Sequence, residues 1–283
     1  MYKRVREWIS AHQLHTFFLL TFAYSWIYWI LMANFAPWMI YEPAYYILSG
    51  YGPTFAALFL TGFLAGGNGL KLFLKRALNW RVNLIWYFIA LFSIALMLIF
   101  ARQVHGILYP GIRLAPIRGL QPIYGLIPVF LVGILYGPLG EELGWRGFAL
   151  PRMQRQLGAL FGSLVLGVIW AAWHLPLHLI PELKWTVGNI PLIWFFLLNI
   201  PWTVFFSWLY NNTKGSVLLT ILLHASVNFS MGILRFTSPK FYPSITIVFW
   251  AVALLVIVIF GPRKLSRKDV DLAFYTDDVL KSR

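Results

Sequence analysis

Two adjacent glutamates, Glu141 and Glu142, close an apolar run that reads Leu-Tyr-Gly-Pro-Leu-Gly-Glu-Glu-Leu-Gly-Trp-Arg. A carboxylate in hydrocarbon is costly unless paired or protonated, so acids inside a membrane mark function by default. The chain has nine acidic residues, and the other seven (Glu7, Glu42, Glu182, Asp269, Asp271, Asp277 and Asp278) fall in expected loops or tails. This pair is therefore the acidic chemistry open to a membrane interior. Residues four apart share a helix face. Arg146 can pair with Glu142 in that way, which leaves Glu141, about 100° round the helix, as the freer carboxylate. The same spacing puts His224 and Asn228 on one face of Leu-Leu-His-Ala-Ser-Val-Asn. His174 and His178 belong to another apolar run, whereas His12, His15 and His105 fall in loops or near interfaces.

The elements that must hold these side chains are membrane helices. The composition is 60% hydrophobic, 18% aromatic and 11% charged, against about 25% charged in soluble domains. Eight apolar stretches are long enough, or nearly so, to cross a hydrocarbon core about 30 Å thick. They run over 16–35, 45–64, 84–100, 124–140, 160–178, 191–210, 216–234 and 243–260. The expected fold is all-α: a polytopic membrane protein of about eight transmembrane helices around a buried polar site. No internal repeat or linker divides it, so residues 1–283 read as a single transmembrane domain.

A net charge of +14 raises nucleic acid as a partner. The basic residues are instead distributed by loop, which the positive-inside rule explains better. With the N-terminus cytoplasmic, Arg102, Arg113, Arg118, Lys184, Arg235 and Lys240 lie outside and the other seventeen Lys and Arg lie inside. Both termini are then cytoplasmic, in a multi-pass protein expected in a prokaryotic plasma membrane. The first apolar segment is too long for a signal peptide and lacks a clean cleavage site, so it reads as an uncleaved anchor. The basic run from Arg263 to Lys268 suits anionic lipid. The absence of cysteine excludes disulfides, thiolate zinc sites, a catalytic thiol and cysteine lipidation.

Depth favours one site. If the fourth helix runs past the glutamates and the chain turns near Gly158, Glu141 and His174 stand level on antiparallel neighbours. His224, nine residues beyond a turn at Gly215, reaches a comparable depth at about 1.5 Å per residue.

Three motifs occur in order: Glu-Glu-x-x-x-Arg (Glu141, Glu142, Arg146), aromatic-x-x-x-His (Trp170, His174) and His-x-x-x-Asn (His224, Asn228). With their Gly-Trp-Arg-Gly and Trp-His-Leu-Pro flanks they resemble the CPBP family of membrane endopeptidases. That family includes the type II CAAX prenyl proteases and bacteriocin-processing or immunity proteins. The resemblance covers a catalytic core of about 124–230, and Trp170 stands where the family commonly has Phe. It implies hydrolysis of a peptide bond near the cytoplasmic leaflet, with Glu141 and His174 activating a water and His224 and Asn228 stabilising the oxyanion. Glu142, Arg146 and Trp170 are supporting residues. The chemistry is sound in itself: a carboxylate in low dielectric is an effective general base or acid near neutral pH, and amide and imidazole donors suit a tetrahedral oxyanion. The implied partners are membrane lipids and a hydrophobic or lipidated, CAAX-like peptide substrate, with no nucleic acid.

Family members include metal-dependent and metal-free enzymes. His174, His224 and Glu141, with His178 beside them, offer an alternative zinc set. Against it, Pro176 interrupts the helix that would align His174 with His178, and no His-Glu-x-x-His occurs. The expectation is glutamate and water without a cofactor, zinc being the alternative. Two rival functions come from other classes. A proton-coupled transporter also needs buried acids and histidines, but the inverted repeats expected there are absent from the sequence. A non-catalytic scaffold would lose polar site residues that this chain keeps.

Overall fold

The computed structural model describes residues 1–112, 114, 123–234 and 240–267. Arg113, Arg118, Arg235 and the tail from Lys268 onward, which enter the topology argument, lie outside the described residues. In chain order the helices are α1 (Tyr2–Ala11), α2 (Gln13–Phe35), α3 (Pro43–Ser49), α4 (Gly52–Ala77), α5 (Leu84–Leu108), α6 (Ile123–Gly133) and α7 (Pro138–Glu142). There follow α8 (Leu150–Leu157), α9 (Ala159–Trp173), α10 (Leu175–Leu179), α11 (Leu192–Asn212), α12 (Val217–Leu234) and α13 (Phe241–Phe260). A π-helical segment, Leu143–Ala149, joins α7 to α8. No strand occurs among the described residues.

Among the described residues six segments are long and apolar enough to cross a membrane, and two shorter apolar helices, Ala159–Trp173 and Val217–Ile233, accompany them. The chain is an all-α, multi-pass membrane protein. Several of the expected stretches have other bounds: the third runs on to Leu108, and the fourth ends at Gly133 and resumes as α7. The second begins at Gly52, because Pro53 opens a helix well at its first turn, and it runs on to Ala77 through Gly66, whose φ of +67° breaks the helix in two. The fifth stops at Trp173 rather than His178; Pro176 cannot continue a helix and sits instead in the first turn of α10.

Glycines let the acidic segment approach its neighbours. A Cβ at Gly144 would stand 2.5 Å from the Pro53 backbone, and one at Gly140 would stand 2.5 Å from the Tyr51 ring. Small residues four apart give a helix a flat face for close backbone contact in lipid. Gly140 and Gly144 thereby seat the glutamates against the start of α4. Across the molecule α9 packs on α11, where Ser163 Oγ donates to Ser207 Oγ at 2.7 Å and Gly167 faces the Ile200 backbone.

The bundle has two dissimilar ends. At one, Arg152 donates to Gln13 at 2.9 Å, Ser216 to the Asn79 carbonyl at 2.6 Å, and Asn211 to the Lys264 carbonyl at 2.7 Å. Lys71, Lys75, Arg76, Arg81 and Arg263 cluster around this end, as do the basic residues of α1. At the other end Tyr41 and Tyr46 stack on Trp185, and Trp194 on Tyr242. Aromatic rings of this kind favour the membrane interface.

Candidate active site

Helix α7 starts where Gly137 and Pro138 require it to. Gly137 has φ +107°, which glycine tolerates and a side chain would not, and Pro138 presets the first turn. The π-helical segment then widens the turn directly after the two acids; such segments are rare and cluster at functional sites. Its consequence is that Arg146 points inward. Counted from sequence among the cytoplasmic charges, Arg146 is instead fully buried. Its Nη1 donates to Glu142 Oε1 at 2.7 Å, and its guanidinium lies between the rings of Trp170 (4.3 Å) and Phe206 (4.2 Å). A planar, weakly hydrated guanidinium suits such a slot better than an ammonium.

Glu142 does more than pair with Arg146. Its Oε1 also accepts a hydrogen bond from His224 Nδ1 at 2.9 Å, so one carboxylate oxygen links the π-helical segment to α12. A ring whose Nδ1–H is held by a carboxylate presents Nε2 at its other edge. Glu141 is held separately. Trp170 Nε1 donates to its Oε2 at 2.6 Å, while Oε1 lies beside Gly137.

A Cβ added at Gly137 would stand 3.1 Å from Glu141 Oε1 and 3.7 Å from the Asn228 amide nitrogen. Gly137 thus keeps open the space that these two groups share. One turn beyond Trp170, His174 Nδ1 bonds the Trp170 carbonyl at 2.8 Å. A carbonyl oxygen only accepts, so Nδ1 carries the proton and a neutral His174 has its lone pair on Nε2.

Glu141, Trp170, His174, His224 and Asn228 line one cavity of about 460 Å³. All four expected catalytic residues come together there, and Trp170 sits among them. Glu142 and Arg146 lie behind its wall. His178, read from sequence beside the zinc set, is buried against Phe195, whose ring is 4.9 Å from His174 and 4.5 Å from His178. A catalytic zinc takes three protein ligands. Among the described residues no three His, Asp or Glu side chains come together to hold a metal ion, so the alternative zinc set does not fit.

The family model for type II CAAX prenyl endopeptidase, Rce1-like, matches residues 123–230. The match covers 108 of the 283 residues and holds all three motifs, from Glu141 to Asn228. Along more of its length the chain is similar to CAAX prenyl protease 2 of Methanococcus maripaludis, being 24% identical over 258 residues that span 85% of this chain and 92% of the relative. The chain is a membrane endopeptidase of the CAAX prenyl protease type.

Sequence reasoning missed one contributor to the endopeptidase site and the role of another. Gly137 was legible only as half of a Gly-Pro helix start. Trp170 is expected as a supporting residue, but not its role: its indole N–H supplies a hydrogen bond to Glu141 that Phe has no atom to make. A hydrogen bond to a charged group is worth about 1.5–3 kcal/mol. Trp170→Phe should therefore lower kcat about 10- to 100-fold by that magnitude, with KM little changed, in steady-state kinetics on a cleaved peptide.

Proposed function

We propose that the chain hydrolyses an internal peptide bond of an apolar or lipidated, CAAX-like segment, with Glu141 as general base and no metal ion. The observation that carries this reading is the meeting of Glu141, His174, His224 and Asn228 at one cavity. A water beside Glu141 Oε1 gives one proton to the carboxylate and a hydrogen bond to His174 Nε2. Its oxygen attacks the scissile carbonyl carbon, and the carbonyl π pair moves to oxygen. The Asn228 amide and the Nε2 edge of His224 stabilise that oxyanion. His224 donates from Nε2 as an imidazolium, whose charge the Glu142 carboxylate opposes. Collapse of the intermediate breaks the C–N bond, and the proton on Glu141 passes to the leaving amine.

The cavity suits such a segment chemically. Trp29, Trp173, Trp202 and Phe195 supply apolar surface, and no Lys or Arg is among the described residues that line it. There is no permanent cation to hold a free terminal carboxylate, which favours cleavage within a chain over removal of single terminal residues. The CAAX prenyl protease 2 relative extends this to a prenylated peptide as one candidate substrate. The same features count against a transporter or a non-catalytic scaffold, since neither requires a carboxylate, two imidazoles and an amide around one void. We treat residues 1–283 as one transmembrane domain.

Purified protein should be incubated with fluorogenic peptides, prenylated and unprenylated, and the products analysed by mass spectrometry. Internal cleavage that survives prolonged phenanthroline is the expected result. Activity lost to the chelator and restored by zinc alone would replace Glu141 and water with a metal mechanism. Transport of a solute without any cleavage would favour the transporter.

Sequence reasoning puts the termini in the cytoplasm and cleavage near the cytoplasmic leaflet. These two expectations separate on the structure. The cavity is lined by Tyr46, Ile47, Gly50, Thr186 and Tyr242, from the aromatic end of the bundle, whereas α1 and the start of α2 belong to the basic end. Cleavage at the cytoplasmic leaflet requires the aromatic end to face the cytoplasm.

A further inference from the structure

We infer that Asn199, on α11, is a further substrate-binding residue, whose side-chain oxygen accepts a backbone N–H of the substrate beside the scissile bond. The inference rests on the protease reading above and concerns how that site holds the segment it cuts.

Helix α11 supplies one wall of the cavity. Phe195, Asn199 and Trp202 all line it, and residues three and four apart share a helix face. That face lies across the catalytic groups. Phe195, one turn before Asn199, meets the His174 ring at 4.9 Å between centroids. Phe206, two turns after Asn199, meets the rings of Trp170 at 6.0 Å and His224 at 6.1 Å. Asn199 thus stands between the ring that packs on the water-holding imidazole and the ring that packs on the oxyanion imidazole.

An amide in the middle of an apolar helix, here Leu-Leu-Asn-Ile-Pro, commonly joins one membrane helix to another. Asn199 does not. It is buried, and its Nδ2 turns back on its own helix to donate to the Phe195 carbonyl at 2.8 Å. A carbonyl oxygen only accepts, so this bond fixes which way round the amide lies and leaves Oδ1 at the other position. Among the described residues no protein group donates to Oδ1.

The reaction leaves this oxygen unused as well. Glu141 and His174 take the water, and Asn228 and His224 take the oxyanion. Two hydroxyls of the same wall are already committed, Ser49 to the Tyr46 carbonyl and Thr186 to the Leu183 carbonyl. A peptide entering the cavity brings the complementary need, because each residue except proline carries an N–H and a membrane interior offers no bulk water to meet it. An amide oxygen meets that need without charge. A carboxylate at the same place would lack a cation, since no Lys or Arg is among the described residues that line the cavity.

The test exchanges single atoms of the substrate. In a fluorogenic peptide cut by the full-length protein in detergent, each backbone amide flanking the scissile bond is replaced in turn by an ester, which puts oxygen where the N–H was. The scissile amide is kept, and mass spectrometry checks that the same bond is cut. For the wild type one ester should lower kcat/KM about 10-fold, the scale of one buried hydrogen bond. Asn199→Ser withdraws the acceptor but keeps the bond to Phe195, as Thr203 and Ser207 on the same helix donate to their own i−4 carbonyls at 2.9 and 2.7 Å. It should lower kcat/KM for the parent peptide by a similar factor, and the same ester should then cost it less than about 2-fold. Asn199→Leu, which fills the space with no polar atom, should behave alike and gives a second reading of the cycle. An asparagine that served only its helix would slow amide and ester peptides equally, so an ester cost unchanged by these substitutions overturns the inference. It is also overturned if no ester costs the wild type more than about 2-fold. Should the wild type cut no peptide at all, the protease reading fails and this inference falls with it.

Discussion

Glu141→Gln should remove nearly all peptide cleavage while the detergent-extracted protein stays folded. The substitution keeps the size of the side chain and an amide oxygen to accept from the Trp170 indole, but it removes the group that takes a proton from water. General acid–base catalysis contributes about 10²- to 10⁴-fold, so the rate should fall by at least the lower figure. His174→Ala should fall with it, because Nε2 of His174 is the second acceptor for the same water. Single-turnover cleavage of a fluorogenic peptide, beside size-exclusion profiles and thermal unfolding in detergent, measures both quantities. Retention of more than about a tenth of the rate in Glu141→Gln would exclude it as the base, since a base is worth more than that. Glu142 would then be the next candidate, although Arg146 and His224 already occupy its Oε1.

Asn228→Ala should lower kcat about 10²- to 10³-fold with little change in KM, the usual cost of losing one oxyanion donor. The reason for a kcat effect is positional. The amide lies beside Glu141 Oε1 across the space kept open by Gly137, where a carbonyl under attack would develop its charge. Asn228 is also exposed to the cavity, so its removal leaves no buried group unsatisfied and should not unfold the protein. A change in KM alone would make Asn228 a substrate-binding residue. Asn228→Asp tests the sign of the interaction: a carboxylate of the same shape would repel the oxyanion and should be at least as slow as the alanine variant.

Much of this protein was legible without coordinates. Hydropathy over long windows implied an all-α membrane fold because lipid leaves the backbone no partner but itself. The i,i+4 pairs Glu142–Arg146 and His224–Asn228 followed from helix periodicity alone, and the 2.7 Å contact between Glu142 and Arg146 bears the first of them out. The turns near Gly158 and Gly215 were marked by the residue type itself, and both have positive φ. Local rules reached as far as individual helices.

What they did not reach is set by contacts between helices. The π-helical turn that carries Arg146 inward has no local sequence code; it is stable because Glu142, Trp170 and Phe206, from three separate segments, receive the guanidinium. The hydrogen bond from His224 to Glu142 joins residues 82 apart, and periodicity says nothing about pairs at that range. The role of the Trp170 indole depends on the helix that faces it. Sequence by itself determined the solvent, the helices and the reactive residue types, because these follow from composition and local spacing. Tertiary packing decided which carboxylate meets which imidazole, because that depends on side chains that only the folded bundle brings together.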